Sequence, residues 1–203
     1  MSEQEWHNTT NVHSLLTFAL GTPDANWRKE RLLAAAFCRL FGDDIAPASL
    51  PILIESEVLA DGSSPAVTSY DLCNRANALV TVAAPGRQES CAKAICYAVL
   101  PEVWGAAGYR SPSLHDAEPE ANCIRGIFGN PFRSIAVDPS WLTTDVRILA
   151  ESIYADRAFD RMPILADALQ DAGCDNEDIL NHCRQPGEHV RGCWVVDLLT
   201  GRK

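Results

Sequence analysis

With 203 residues, 47% of them apolar and 22% charged, the chain is long and apolar enough to bury a substantial core, which excludes global disorder. Its 27 acidic residues against 17 basic ones leave a net charge of −10, a surface that repels phosphate backbones and anionic lipid, so neither nucleic acid nor membrane is expected as a partner. No apolar run reaches the ~18 residues of a membrane span, and Met1-Ser2-Glu3-Gln4-Glu5 opens no secretory signal, so a cytoplasmic location is expected, with the eight cysteines as free thiols.

Helical spacing recurs along the chain while strand-like alternation is rare, which predicts an all-α fold: an irregular multi-helix bundle, whose helix pairs also suit solenoid-like stacking. Val12, Leu15, Leu16 and Ala19 mark a helix closed by Gly21. From Trp27 to Phe41 one stripe runs through Leu32, Leu33, Ala36, Phe37, Leu40 and Phe41, with Trp27-Arg28-Lys29-Glu30-Arg31 as its polar side, and Gly42-Asp43-Asp44 ends it. Pro51 to Ala60 is a shorter helix with proline in its first turn. Asp61 to Pro65 reads as a loop, Val67 to Ala84 as a buried helix stopped by Pro85-Gly86, and Arg87 to Leu100 as a helix stopped by Pro101.

Glycine, serine, proline and charge from Gly105 to Pro119 read as a surface loop joining two helical halves, 1–110 and 111–203, with one continuous domain as the alternative. In the second half, Glu120 to Phe128 is a short helix, Phe132 to Pro139 is extended, and Val146, Leu149, Ala150 and Ile153 mark a helix started near Thr143. Pro163 opens the next, Gly173 stops it, and Asp175 or Asn176 caps another. A final helix is expected from His189 to Leu199, apolar on nearly all sides, with the C-terminal bundle built around Trp194.

Metal-capable and thiol residues concentrate in the last quarter. A helix beginning at His189 would put His189 and Cys193 on one face at i and i+4. His182 and Cys183 end the preceding helix, and Cys174 sits at the turn before it. Together Cys174, Cys183 or His182, His189 and Cys193 make a candidate tetrahedral zinc set, although the spacing is that of no familiar finger and holds no Cys-x-x-Cys pair. The competing reading places the cysteines in the core and the histidines at helix ends. Arg184, His189 and Arg191 bracket Gln185-Pro186-Gly187-Glu188, a cationic turn suited to a partner's carboxylates or to pairing with Asp167, Asp171 and Asp197. Gly129-Asn130-Pro131-Phe132-Arg133 is glycine-led but is neither a GxxxxGK[ST] nor a GxGxxG phosphate loop, and the chain has no GxSxG or HExxH motif, so no catalytic residue is assigned.

The segments IFGNPFRSIAVDPSWLT (127–143), AFDRMPILADALQDAGCDNEDILNHCR (158–184) and PGEHVRGCWVVDLLTG (186–201) resemble a family of uncharacterised bacterial proteins abundant in planctomycetes. EQEW and WRKERLLAAAFCRL (27–40) look like that family's opening helices, while 46–117 has no counterpart, and Ser134 and Thr200 depart from its pattern. The resemblance implies no activity, cofactor or site residue. Some of its members bear a name borrowed from a yeast cell-wall regulator, whose mixed α+β superfamily the helical periodicity here does not match. The expected function is a cytosolic, non-catalytic interaction or regulatory module for an unidentified protein partner, with Arg184, His189 and Arg191 at its surface and no cofactor. The alternative is a metal-binding protein holding zinc among Cys174, His182, Cys183, His189 and Cys193.

Overall fold

A computed structural model describes residues 1–62, 68–100, 103–110, 117–187 and 189–202. Parts of the expected loops (residues 63–65 and 111–116), Pro101 and Glu188 of the cationic turn lie outside the described residues. The fold is all-α: among the described residues there are twelve α-helices and no strand. None of these helices is long and apolar enough to cross a membrane. The chain divides into two units, Met1–Ile124 and Arg125–Lys203.

The first unit contains α1 (Glu3–Asn8), α2 (Val12–Leu20), α3 (Trp27–Arg39), α4 (Leu50–Ala60), α5 (Ser69–Val82), α6 (Arg87–Val99) and α7 (Val103–Arg110). Its central element is α3, started by the Asn26 side chain accepting from Lys29 N at 3.0 Å. The stripe predicted from Leu32 to Phe37 is buried, and α3 packs against α4, α6 and α7. The basic stretch before it is not a solvated face. Arg28 is buried against Asp61 at 2.9 Å, and Arg31 donates to the Val99 carbonyl at the end of α6 and to Ser56 and Ser69. A cation set on the last carbonyls of a helix satisfies acceptors that the helix itself leaves open. Arg39 adds a two-point bond to the buried Glu57 of α4, at 2.8 and 3.0 Å.

The segment expected to be a loop from Gly105 onward is helical as far as Arg110. Its glycines serve packing instead. A Cβ at Gly105 would overlap the Tyr97 ring of α6, so α7 approaches α6 only with glycine there. α1, which apolar periodicity alone did not mark, is set by a capping box: the Ser2 side chain accepts from Glu5 N at 3.2 Å and Glu5 accepts from Ser2 N at 2.6 Å. It places Trp6, fully buried, 5.9 Å from the Phe18 ring.

α8 (Glu118–Phe128) carries the division between the units. The second unit continues through α9 (Thr144–Asp156), α10 (Met162–Asp171), α11 (Glu177–Arg184) and α12 (Trp194–Thr200). Thr143 and Asn176 cap α9 and α11 as the sequence indicates, their side chains accepting from Val146 N and Ile179 N. Its core comprises Val146, Ala150, Ile153 and Tyr154 of α9, Leu165, Ala166 and Leu169 of α10, Ile179 and Cys183 of α11, and Val195, Val196 and Leu199 of α12. Trp194 is half-buried at the edge of this core, not its centre, with its indole against Gly129, whose positive φ of +66° ends α8.

The two glycines of α7 make a paired test. Gly105→Ala should lower the unfolding free energy by about 1–3 kcal/mol, because overpacking at α6 outweighs the better helix former. Gly108→Ala, with open space around its Cβ, should raise it by about 0.5–1 kcal/mol. Urea unfolding of both variants reads the difference; equal shifts would mean that the close approach of α7 to α6 is not what selects Gly105.

Candidate metal centre

The candidate centre lies where the chain passes from α11 to α12. On α11, Ile179, His182 and Cys183 sit at i, i+3 and i+4 and therefore share one face. Ile179 and Cys183 enter the core, and His182 follows them to 8% exposure. The chain then leaves the helix at Gln185, passes Gly187 at φ +134°, and turns back at Val190–Cys193. In that turn Cys193 N donates to the Val190 carbonyl at 2.9 Å, and Gly192 stands at φ +90°, the sign that a type II turn demands of its third residue.

This turn corrects the expectation of a helix from His189. The left-handed backbone at Gly192 breaks any helix through residues 189–193, and α12 begins only at Trp194, with Cys193 as the residue before it. His189 and Cys193 are thus not neighbours on a helix face. They are brought together by the turn.

The resulting geometry groups His182, His189 and Cys193, each offering one ligand atom, with all three atoms within 4.8 Å of one another. His182 Nε2 lies 3.1 Å from Cys193 Sγ, and His189 Nδ1 lies 4.0 Å from the same sulfur. Two donors bound tetrahedrally to one zinc ion, nitrogen at ~2.0 Å and sulfur at ~2.3 Å, stand about 3.5 Å apart, and the two observed N···S distances bracket that spacing. The imidazoles meet edge to face, with ring centres 4.9 Å apart, and the Trp194 indole lies 5.2 Å from the His182 ring. His182 is further held by the Gln185 amide, 3.2 Å from Nδ1.

Burial sets the protonation of the three groups. It pulls the His182 imidazole down to about 3, with the neighbouring His189 adding to the effect, and it lowers His189 as well. The Cys193 thiol is pushed up to about 12 by burial, against which the amides of Val195 and Val196 act to favour thiolate. At neutral pH both imidazoles are therefore uncharged and the sulfur keeps its proton. A thiol in that state is no nucleophile.

No family model, curated protein or solved structure matches the chain.

The remaining residues singled out in the sequence are distributed differently. Cys174 and Cys183 are buried in the core of the second unit, with both thiols raised above their ordinary range by burial, and neither belongs to the converging trio. Arg184 is exposed and reaches back to α10, donating to Asp167 at 2.8 Å and to the Gln170 side chain at 2.7 Å. Arg191 lies over the Tyr154 ring at 4.6 Å, and Arg202, paired with Glu151 at 2.8 Å, lies 4.0 Å from the same ring. Gln185 was not singled out as a site residue, although its place three residues after His182 puts the two side chains on one face.

The stack on Tyr154, which is only 2% exposed, ties the turn to α9. Arg191→Ala should lower the unfolding free energy by about 1–2 kcal/mol, the range of a desolvated cation–π contact, in chemical denaturation of the full chain. An unchanged midpoint would show that Arg191 contributes nothing to the fold and leave its side chain available to a partner.

Proposed function

We propose that this chain is a metal-binding protein that holds one zinc-class divalent ion on His182 Nε2, His189 Nδ1 and Cys193 Sγ. The observation that carries the reading is proximity: two neutral imidazoles and one thiol, drawn from a helix end and a reversed turn, bring their ligand atoms within 4.8 Å of one another. Nitrogen and thiolate sulfur suit a borderline-soft d¹⁰ ion and disfavour magnesium or calcium, which take oxygen. Three protein donors leave a fourth tetrahedral position for water or an external ligand. Binding releases the Cys193 proton and pins the 185–193 segment to the end of α11, so the ion contributes to the stability of the second unit.

This reading is preferred to partner recognition by the cationic turn because Arg184 and Arg191 already have partners within the unit. Under the metal reading, His189 serves the ion and not a partner's carboxylate.

Elemental analysis of the untagged protein, followed by titration with Co²⁺, tests the assignment. About one equivalent of zinc is expected, with a thiolate-to-cobalt charge-transfer band on substitution and a lower melting temperature after chelation. Cys193→Ser and His182→Ala should each lose the band, whereas Cys174→Ala and Cys183→Ala should keep it. Absence of metal, with identical melts before and after chelation, would make His182 the hydrogen-bond partner of a core thiol and return the chain to the reading of an interaction module.

A further inference from the structure

The contact between Gln185 and His182 bears on which ring nitrogen is open to a metal ion. Gln185 Nε2 faces His182 Nδ1 at 3.2 Å, and His182 Nε2 faces Cys193 Sγ at 3.1 Å. With the amide nitrogen donating to Nδ1, the proton of the neutral ring sits on Nε2 and is aimed at the sulfur. That arrangement makes a chain of donors from Gln185 through His182 to Cys193. That tautomer cannot bind metal through Nε2, because the lone pair needed there is occupied by a proton.

We infer that Gln185 is a positioning residue that selects the tautomer of His182 and through it the affinity of the centre. The inference rests on the metal reading of the same trio. A ligating imidazole donates its other ring N–H to an acceptor, which fixes the ring and strengthens it as a ligand. Once Nε2 binds the ion, the proton stands on Nδ1, and the acceptor that Gln185 can supply is its Oε1. A half-turn of the amide exchanges Oε1 for Nε2 at the same position, so the switch needs no backbone movement. The backbone for this is already fixed. Gln185 N donates to the Asn181 carbonyl at 2.8 Å, closing α11 and setting the side chain one turn above His182. Because Gln185 is exposed, its side chain can rotate without disturbing the core.

Two variants separate this role from simple packing. Gln185→Leu keeps the bulk and removes the acceptor. Gln185→Glu supplies an acceptor on both oxygens and no donor, so it favours the metal-ready tautomer at all times. Co²⁺ and Zn²⁺ affinities are measured by competition with a chromophoric chelator on the full chain, together with melts of the metal-free proteins. Leucine should weaken binding 10- to 100-fold, the usual loss for a second partner of a ligating histidine. Glutamate should bind as tightly as the wild type or tighter with an unchanged metal-free melt, whereas leucine, which takes the partner from His182 Nδ1, should also melt lower without metal. Long-range ¹H–¹⁵N spectra of the histidine rings give a second readout: zinc should move the His182 proton from Nε2 to Nδ1 in the wild type.

If the wild type binds Co²⁺ and leucine binds equally well, the inference fails while the metal centre stands. Equal weakening by leucine and glutamate would also overturn it, since bulk rather than proton placement would then govern affinity. A wild type that binds neither ion overturns the inference and the metal centre together.

Discussion

The constraint on which the second unit depends is that both ends of a nine-residue connection are anchored in one core. Cys183 at its start and Val195 at its end are fully buried in the same cluster, so residues 185–193 must leave and return over a short distance. Such a path needs sharp reversals, and the chain supplies glycines with positive φ at Gly187 and Gly192 to make them. The reversal before Cys193 directs its sulfur inward beneath the end of α11, where His182 already faces the core. The trio is thus a product of how the bundle closes. Any ion bound there would tighten the closure that creates it.

The first unit solves a different problem with similar means. A central helix with three arginines directed at its neighbours would strain an acidic protein only if those charges lacked partners. Arg28 meets Asp61, Arg39 grips Glu57 at two points, and Arg31 is shared among a helix-terminal carbonyl and two serine hydroxyls. Buried pairs of this kind add little net stability over apolar residues of similar size, but removing one member leaves an uncompensated charge and costs ~3–5 kcal/mol. Their effect is to fix how α3 meets α4 and α6, since a guanidinium satisfied at several points tolerates one arrangement of its neighbours.

The helices were legible where apolar periodicity met a breaker or a cap: Val12–Leu20 and Arg87–Val99 begin as read, and Thr143 and Asn176 cap α9 and α11. Misreadings came where a glycine or an arginine had a role that only tertiary contact reveals. Gly105 looked like loop chemistry because glycine is poor in helices, but a helix that must touch an aromatic ring accepts that cost. Arg28 and Arg31 looked solvated because charge is usually outside. Gly192 carried the opposite lesson. It stands at positive φ two residues before α12, where the chain turns into a new helix, and HVRGC read as continuous helix hides that turn. The S-x-x-E spacing of Ser2–Glu5 is a capping-box signature, but apolar periodicity cannot mark so short a helix, and α1 is not among the elements predicted from the sequence.

The candidate centre was visible as a concentration of residue types but not as a ligand set. Nothing in the spacing separates Cys183, which packs into the core, from Cys193, which meets two imidazoles; that depends on the turn between them. What the structure adds is the state of the histidine. An apolar residue at position 182 would continue the stripe of Ile179 and Cys183 without cost, whereas a buried imidazole must find partners for both ring nitrogens. His182 finds them on opposite sides, a rotatable amide at Nδ1 and a sulfur at Nε2. The second of those sides also holds His189 Nδ1 near the same sulfur. A hydrogen bond to Cys193 alone requires one imidazole. The second imidazole, turned edge-on to the first and carrying its own lone pair at neutral pH, is what a cation needs and a lone thiol does not.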